Sequence, residues 1–141
     1  NTRLQSSHPD IYAAGDAACI YREETDQYSR VEHEMNALET GAAAGRSMAG
    51  DPDVNFTYTP LFYSDVFDDG FEAVGDLDAD LKMVEDWQED LKKGVVYYLD
   101  NGNHLRGVLL WNLFGKTDQA RDLMNQGPVD DPDSLLGRIA A

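Results

Sequence analysis

The spacing of small and apolar residues between positions 31 and 48 predicts a helix. Four of them recur at intervals of four, three and four, which places them on one helical face: Ala37, Gly41, Ala44 and Met48. Gly50 is suited to end this helix, because glycine readily adopts the left-handed conformation of a helix C-terminus. Glycine inside a helix costs about 1 kcal/mol relative to alanine. The interior Gly41 and Gly45 therefore lead us to expect that another group approaches the helix backbone closely.

The pattern changes to short apolar runs after residue 56, and such runs separated by turns predict β-strands. Residues 61–65 and 71–77 flank a predicted turn at 68–70. Residues 95–99 and 105–111 flank Asn101-Gly102, a dipeptide typical of β-hairpins. Trp111, in the last of these runs, is expected to be a core residue.

A helix is predicted over residues 116–126, after the last strand. Ala120, Leu123 and Met124 form its apolar stripe, and Thr117 or Asp118 can cap it. A last short helix is predicted to start at residues 131–134. Strands followed by a helix indicate an α+β unit with an antiparallel sheet.

The first thirty residues predict little regular structure. Residues 11–14 form a short buried-strand candidate that ends at Gly15-Asp16, and residues 22–30 have the polar composition of a loop. Two prolines make residues 51–60 the predicted internal boundary. The expected organisation is thus 1–50, a linker at 51–60, and a C-terminal α+β domain at 61–141.

The charge of the chain excludes several classes of partner. Acidic residues number 27 and basic residues 11, for a net charge of −16. Nucleic-acid backbones and anionic membrane surfaces are therefore not expected as partners, because both require clustered Lys and Arg. Residues 51–93 hold 13 acids and 3 bases, which accounts for −10 of the total. This acidity indicates either a solvated surface or a site for a basic partner.

Cysteine and histidine indicate neither a disulfide framework nor a metal site. Cys19 is the single cysteine, and its apolar neighbours predict an inert, buried thiol. The histidines at positions 8, 33 and 104 lack the spacing of zinc ligands. No apolar run approaches membrane-spanning length and no leader pattern opens the chain, so a cytoplasmic location is predicted.

Three short segments carry groups suited to ligand binding. Asp16 follows a predicted strand, where a carboxylate can accept hydrogen bonds from ligand hydroxyls. Glu32 and His33 lie at the predicted helix N-terminus, where free amides favour anions. Phe62 and Tyr63 point to opposite faces of a strand, so one can line a cleft. Taken singly, each segment is more often an ordinary turn, cap or core position than a binding site. No Walker loop, nucleophile elbow or GxGxxG motif occurs.

Taken in order, these segments resemble a known enzyme family. Residues 7–18, which read SHPDIYAAGDAA, resemble the last FAD-contacting motif of flavoprotein reductases with two dinucleotide-binding domains. The helical segment that begins with RVEH at 30–33 resembles the helix after that motif. The runs FYSD (62–65), GVVYYL (94–99) and GVLLWN (107–112), with the Val74-Gly75 strand, are similar to the C-terminal domain of apoptosis-inducing factor and its ferredoxin-reductase-like relatives.

The resemblance implies a role for five residues. Asp16 would bind the ribityl or pyrophosphate region of FAD. Glu32 and His33 would lie at the isoalloxazine and nicotinamide face, and Phe62 with Tyr63 would cap the flavin from the C-terminal domain. No residue of this chain is assigned a catalytic or metal-binding role.

Two positions depart from the family pattern. Glu34 stands where relatives carry tryptophan or a second histidine, and Tyr63 stands where tryptophan is common. The C-terminal motif of the glutathione-reductase branch, which contains a histidine, is absent. This absence favours the branch of single-flavin reductases without an active disulfide.

The resemblance implies that the chain is the C-terminal portion of an FAD-dependent NAD(P)H oxidoreductase. Its fold would be a C-terminal α+β reductase domain of the dimerisation type, preceded by the last strand and helix of an FAD-binding α/β domain. Electrons would pass from a nicotinamide nucleotide through FAD to an unidentified acceptor, with a homodimer left open. The chain alone is expected to be inactive and not to retain FAD. The alternative is a stand-alone acidic module that binds a basic partner.

Overall fold

The computed structural model describes residues 1–22, 27–57 and 59–139 and divides the chain into two compact units. The first unit comprises Asn1–Tyr58 and the second Thr59–Ala141. The division falls inside the segment predicted as a linker. Each unit is built around different elements, a helix in the first and an antiparallel sheet in the second.

The first unit contains a small hairpin and one long helix. β1 (Ile20–Arg22) pairs antiparallel with β2 (Gln27–Ser29), and α1 spans Glu34–Met48. The prediction of a loop over residues 22–30 is therefore wrong at β2; residues 23–26 lie outside the described residues. The strand predicted at 11–14 is also wrong, since that segment forms only one isolated bridge, between Tyr12 and Gln5.

Helix α1 begins at Glu34, three residues later than predicted, and buries a different face. Its buried residues recur at spacings of four, four and three: Asn36, Thr40, Ala44 and Ser47. Of the predicted face only Ala44 is buried, whereas Gly41 is exposed and the Met48 side chain is 66% exposed. The prediction failed because the polar side chains of Asn36 and Thr40, which are hydrogen-bonded, are buried in place of apolar ones.

The end of α1 matches its prediction. Gly50 has a positive φ of 84°, and its N–H donates to the carbonyl of Ser47. The N–H of Asp51 donates to the carbonyl of Arg46 at 3.1 Å. These two bonds form the Schellman arrangement that satisfies the last carbonyls of a helix, and glycine adopts the required conformation without steric cost.

The second unit is a five-stranded antiparallel sheet, which confirms the predicted α+β fold. Its strands in space are ordered β3-β4-β7-β6-β5. Their bounds are β3 Leu61–Val66, β4 Asp69–Gly75, β5 Lys82–Glu89, β6 Lys93–Leu99 and β7 Leu105–Trp111. Strand β5 was not predicted, because its polar sequence is that of an edge strand with only Val84 buried.

Two helical segments close the second unit over one face of the sheet. Helix α2 (Thr117–Met124) buries Ala120 and Leu123, and a 3₁₀ turn at Pro132–Leu135 follows it. The predicted cap is wrong: the N-cap is Lys116, which makes no side-chain capping bond. Burial of this face supplies the main stabilisation of the unit. The core comprises Val74, Val84, Val95, Tyr97, Leu99, Leu105, Val108, Leu110, Leu113, Ala120, Leu123, Leu135 and Ile139.

Both predicted hairpins, β3–β4 and β6–β7, are present, but the first turn differs from its prediction at 68–70. The β3–β4 turn consists of Phe67 and Asp68, because Val66 pairs with Asp69. The Asn101-Gly102 dipeptide lies in the loop between β6 and β7, where the Asp100 carboxylate accepts hydrogen bonds from the N–H groups of Gly102 and His104 at 2.8 and 3.0 Å.

Candidate functional site

Asp16 lies in a short 3₁₀ turn, Gly15–Ala17, of the first unit. Its side chain is exposed, and its neighbours Gly15 and Ala17 are small. Gly15 has a positive φ of 62°, and a side chain there would contact the Cβ of Ala37 at 3.4 Å. The turn thus packs closely on helix α1 and presents a carboxylate that can accept hydrogen bonds.

A buried threonine attaches this turn to the helix. The N–H of Gly15 donates to the Thr40 hydroxyl at 2.8 Å, and that hydroxyl donates to the carbonyl of Asn36 at 2.5 Å. The side-chain amide of Asn36 donates to the carbonyl of Val31 at 2.8 Å. Thr40 is 0% exposed and Asn36 2%. Because buried polar groups cost free energy unless they are paired, this network holds the turn in one position.

Glu32 and His33 lie immediately before α1. His33 is the N-cap, with extended backbone angles (φ −133°, ψ 147°), and its side chain does not cap the helix. Glu32 is exposed and forms an ion pair of 3.8 Å with Arg30. The carbonyl of His33 accepts from the N–H of Ala37, the residue against which Gly15 packs. The structure therefore brings the Asp16 turn and His33 to the same N-terminal part of α1.

The other end of α1 is held by charged groups. The Arg46 guanidinium contacts the Asp51 carboxylate at 2.7 Å, and the Arg3 guanidinium donates to the Asp51 carbonyl at 2.7 Å. The backbone N–H of Asp53 and the side chain of Arg46 hold the pKa of Asp51 below its ordinary value. These contacts join the start of the chain to the segment that follows the helix.

A cavity of about 420 Å³ in the first unit is lined in part by Leu4, Ser6, Ala18, Cys19 and Tyr28. None of the predicted FAD-binding residues is among its lining residues. Cys19 is exposed, so the prediction of a buried thiol is wrong. Its neighbour Ala18 occupies the buried position instead, because side chains in extended backbone alternate between inside and outside.

Phe62 and Tyr63 are neighbours on β3 in the second unit and lie on opposite faces of the sheet. Tyr63 is 55% exposed. The Phe62 ring contacts Phe71 edge to face at 6.0 Å, and Phe71 stacks on Trp111 at 6.1 Å. This row lies on the face opposite the hydrophobic core, where Trp111 is only half-buried. The expectation that Trp111 is a core residue is therefore wrong.

Sequence reasoning missed the residues that position the site. Thr40 and Asn36 are polar residues inside a helix, and such residues usually face solvent. Their spacing with Ser47 along the helix was the available signal. Among the described residues no group of three or more His, Cys, Asp or Glu is arranged to hold a metal ion. No helix in this part of the chain is long and apolar enough to cross a bilayer.

Known proteins match both units. Residues 83–126 match the family described as apoptosis-inducing factor, mitochondrion-associated, C-terminal. Apoptosis-inducing factor 1 of Dictyostelium discoideum is 39% identical over 150 residues, which covers 99% of this chain and 28% of that protein. The chain thus spans little more than a quarter of that relative.

Solved structures show the same relationship. A ferredoxin reductase of Rhodopseudomonas palustris, from the CYP199A2 system, is 25% identical with a TM-score of 0.77, over 91% of this chain and 31% of that one. Putidaredoxin reductase, in a covalent complex with putidaredoxin, shares the fold at 24% identity and a TM-score of 0.80, over 94% of this chain and 31% of that one. Over nearly its whole length, the chain is therefore similar to a part of apoptosis-inducing factor, and it shares the fold of the matching part of ferredoxin reductases.

Proposed function

We propose that this chain is the C-terminal portion of an FAD-dependent NAD(P)H oxidoreductase. The supporting observation is the exposed Asp16 carboxylate, held on helix α1 by the buried hydroxyl of Thr40 through Gly15. A bound FAD would accept a hydride from NAD(P)H and pass two electrons to an acceptor. In this proposal residues 1–50 complete the FAD-binding domain, 51–60 link the parts, and 61–141 form the C-terminal domain.

The residues present fit the groups of FAD that the proposal assigns to them. Asp16 can accept hydrogen bonds from ribityl hydroxyls, and the small side chains beside it leave space for a ligand. Glu32 and His33 would contact the flavin and nicotinamide rings, where an imidazole can stack or hold a proton. The assignment of Phe62 and Tyr63 to the flavin stays a prediction, and because these neighbours lie on opposite faces of β3, one of them would cover it.

The first test uses the chain alone. It contains no glycine-rich phosphate loop, so Asp16 and His33 are too few to hold FAD. After mixing with FAD and desalting, the chain should retain no flavin absorbance. Retention of one FAD per chain would contradict the proposal that the rest of the binding site lies elsewhere.

The second test uses the longer protein that contains this chain and its FAD. Replacement Asp16→Ala should lower FAD affinity by about 1.5–3 kcal/mol, since it removes hydrogen bonds to a charged acceptor. Asp53→Ala, at another exposed aspartate of the same unit and outside residues 7–18, is the matched control and should leave affinity unchanged. Equal flavin retention by both variants would show that Asp16 does not bind FAD.

The proposal extends to partners and location. A nicotinamide nucleotide would be the donor, and the complex of putidaredoxin reductase with putidaredoxin supports a small protein as the acceptor. Sedimentation of the chain at increasing concentration tests the homodimer. The cytoplasmic location stays a prediction, and the Dictyostelium relative is named as a mitochondrial protein. Fractionation of the source cells decides between these compartments.

A further inference from the structure

One end of the five-stranded sheet carries large apolar side chains that project into solvent. Phe67, in the β3–β4 turn, is 101% exposed, and Leu91, in the β5–β6 turn, is 69% exposed. Val66, the last residue of β3, and Phe114, beyond β7, are 57% and 56% exposed. We call these four residues the hydrophobic tip. Apolar side chains clustered on a surface are typical of interaction sites.

The strand register places all four residues at the same end. Trp111, the last residue of β7, pairs with Phe71 near the start of β4 and with Gly94 near the start of β6. The turn before β4 and the turn before β6 therefore both lie beside the end of β7.

Asn112 joins the two turns. Its side-chain amide donates to the Asp69 carboxylate at 2.9 Å and to the carbonyl of Lys92 at 2.7 Å. Its side-chain carbonyl accepts from the N–H of Gly70 at 2.8 Å. The tip is thus held in one arrangement before any partner binds, which lowers the entropy lost on binding.

The backbone at the tip is strained. Phe67, Leu91 and Asn112 have positive φ angles of 57°, 55° and 50°. This conformation is unfavourable for bulky residues such as phenylalanine and leucine, and asparagine tolerates it better. Backbone strain of this kind clusters at binding sites, where the side chain is retained for its function.

Carboxylates surround the tip. Five exposed acidic residues lie in or beside the two turns, where there are only two lysines, Lys92 and Lys93. The acidic residues are Asp65, Asp68, Asp69, Glu89 and Asp90. A second copy of the chain would bring like charges together, and an anionic lipid surface would be repelled. A cationic protein surface complements this rim and is attracted to it over distance.

We propose that the hydrophobic tip docks a protein partner that has an apolar groove bordered by Lys and Arg. Phe67 and Leu91 insert into the groove, and the carboxylates of Asp68 and Asp90 contact its basic border. The interaction is independent of FAD and of the activity proposed above. It assigns a role to the acidity of residues 51–93, which the redox proposal leaves without one.

The test uses the full chain and a synthetic helical peptide with one leucine face and one lysine face. In spectra of the ¹⁵N-labelled chain, the peptide should shift the amide signals of residues 65–69, 89–93 and 112–115. The double variant Phe67→Asn and Leu91→Asn should weaken binding at least tenfold without lowering Tm, because asparagine tolerates positive φ. Met83→Thr, at a residue 47% exposed at the other end of the sheet, is the matched control and should bind normally.

A second pair of variants tests the rim. Asp68→Asn with Asp90→Asn should weaken binding and reduce its dependence on salt. The proposal is overturned if polylysine binds as tightly as the leucine–lysine peptide, or if the shifts lie elsewhere in the chain. It is also overturned if the double variant abolishes only a dimer of the chain, or if the tip binds neutral lipid vesicles instead of the peptide.

Discussion

The hydroxyl of Thr40 accepts a hydrogen bond of 2.8 Å from the backbone N–H of Gly15, twenty-five residues earlier in the chain. This bond joins the Asp16 turn to the middle of helix α1, at a point that is fully buried. The position of the candidate FAD-binding carboxylate therefore depends on a side chain that has no contact with the ligand in the proposed site.

Replacement Thr40→Val should destabilise the first unit. Valine has nearly the same shape but cannot accept the hydrogen bond, so the N–H of Gly15 loses its partner. We expect the free energy of unfolding to fall by about 1–3 kcal/mol. Urea denaturation followed by circular dichroism measures this change.

Ser47→Ala is the matched control on the same buried face of α1. The Ser47 hydroxyl is buried and has no hydrogen-bond partner among the described residues. Its removal should leave stability unchanged or raise it slightly. An equal decrease in the free energy of unfolding in both variants would mean that the stability depends on burial of this face of α1 rather than on the bond to Gly15.

Replacement Gly45→Ala should stabilise the isolated chain. Gly45 lies inside α1, and apart from its chain neighbours and the adjoining helix backbone no atom of the described residues lies within 4 Å of the Cβ that alanine would add. Alanine is the better helix former by about 1 kcal/mol. Thermal unfolding should show a higher Tm, whereas a decrease would reveal a close contact at this position.

Replacement Gly107→Ala should destabilise the chain, in contrast to Gly45→Ala. A Cβ at Gly107 would overlap the backbone carbonyl of Asp76, which cannot move without disturbing the sheet. We expect Gly107→Ala to cost about 3 kcal/mol, at the upper end of overpacking effects. A cost below about 1 kcal/mol, measured by denaturant unfolding, would show that the loop containing Asp76 adapts.

The β6–β7 hairpin should lose stability in acid. Burial raises the pKa of Asp100, but the N–H groups of His104 and Gly102 and the His104 ring lower it more, so the net shift is downward from 3.8. A lowered pKa contributes stability above the unfolded value and loses it as the pH falls through the folded pKa. The difference in Tm between the native chain and Asp100→Ala should therefore have its largest value at pH 6 and decrease below about pH 3.8.

A control aspartate separates this effect from general acid denaturation. Asp130→Ala, at an exposed residue of the same unit, should follow the native chain at every pH. If the difference in Tm between the native chain and Asp100→Ala is unchanged at pH 2, ionisation of the Asp100 carboxylate does not contribute to the stability of the hairpin.

Local elements were predictable because their causes are local. The end of α1 at Gly50 depends on the conformation of one glycine, and the β6–β7 hairpin depends on a turn sequence between two apolar runs. Strand β5 was missed because only pairing with β6 makes a strand of its polar sequence. The start of α1 was misplaced because nothing in the sequence shows that His33 adopts an extended backbone.

The sequence by itself was enough to indicate the family resemblance, whereas the roles of Asp16, Glu32, His33, Phe62 and Tyr63 stay a prediction. It also determined the α+β class, since periodicity and turn residues act over a few positions. Only the tertiary structure decided which face of α1 is buried, because the bond between Thr40 and Gly15 exists only once distant segments meet. It likewise decided that Phe67 and Leu91 share one end of the sheet, since strand register, rather than distance along the chain, sets which turns are neighbours.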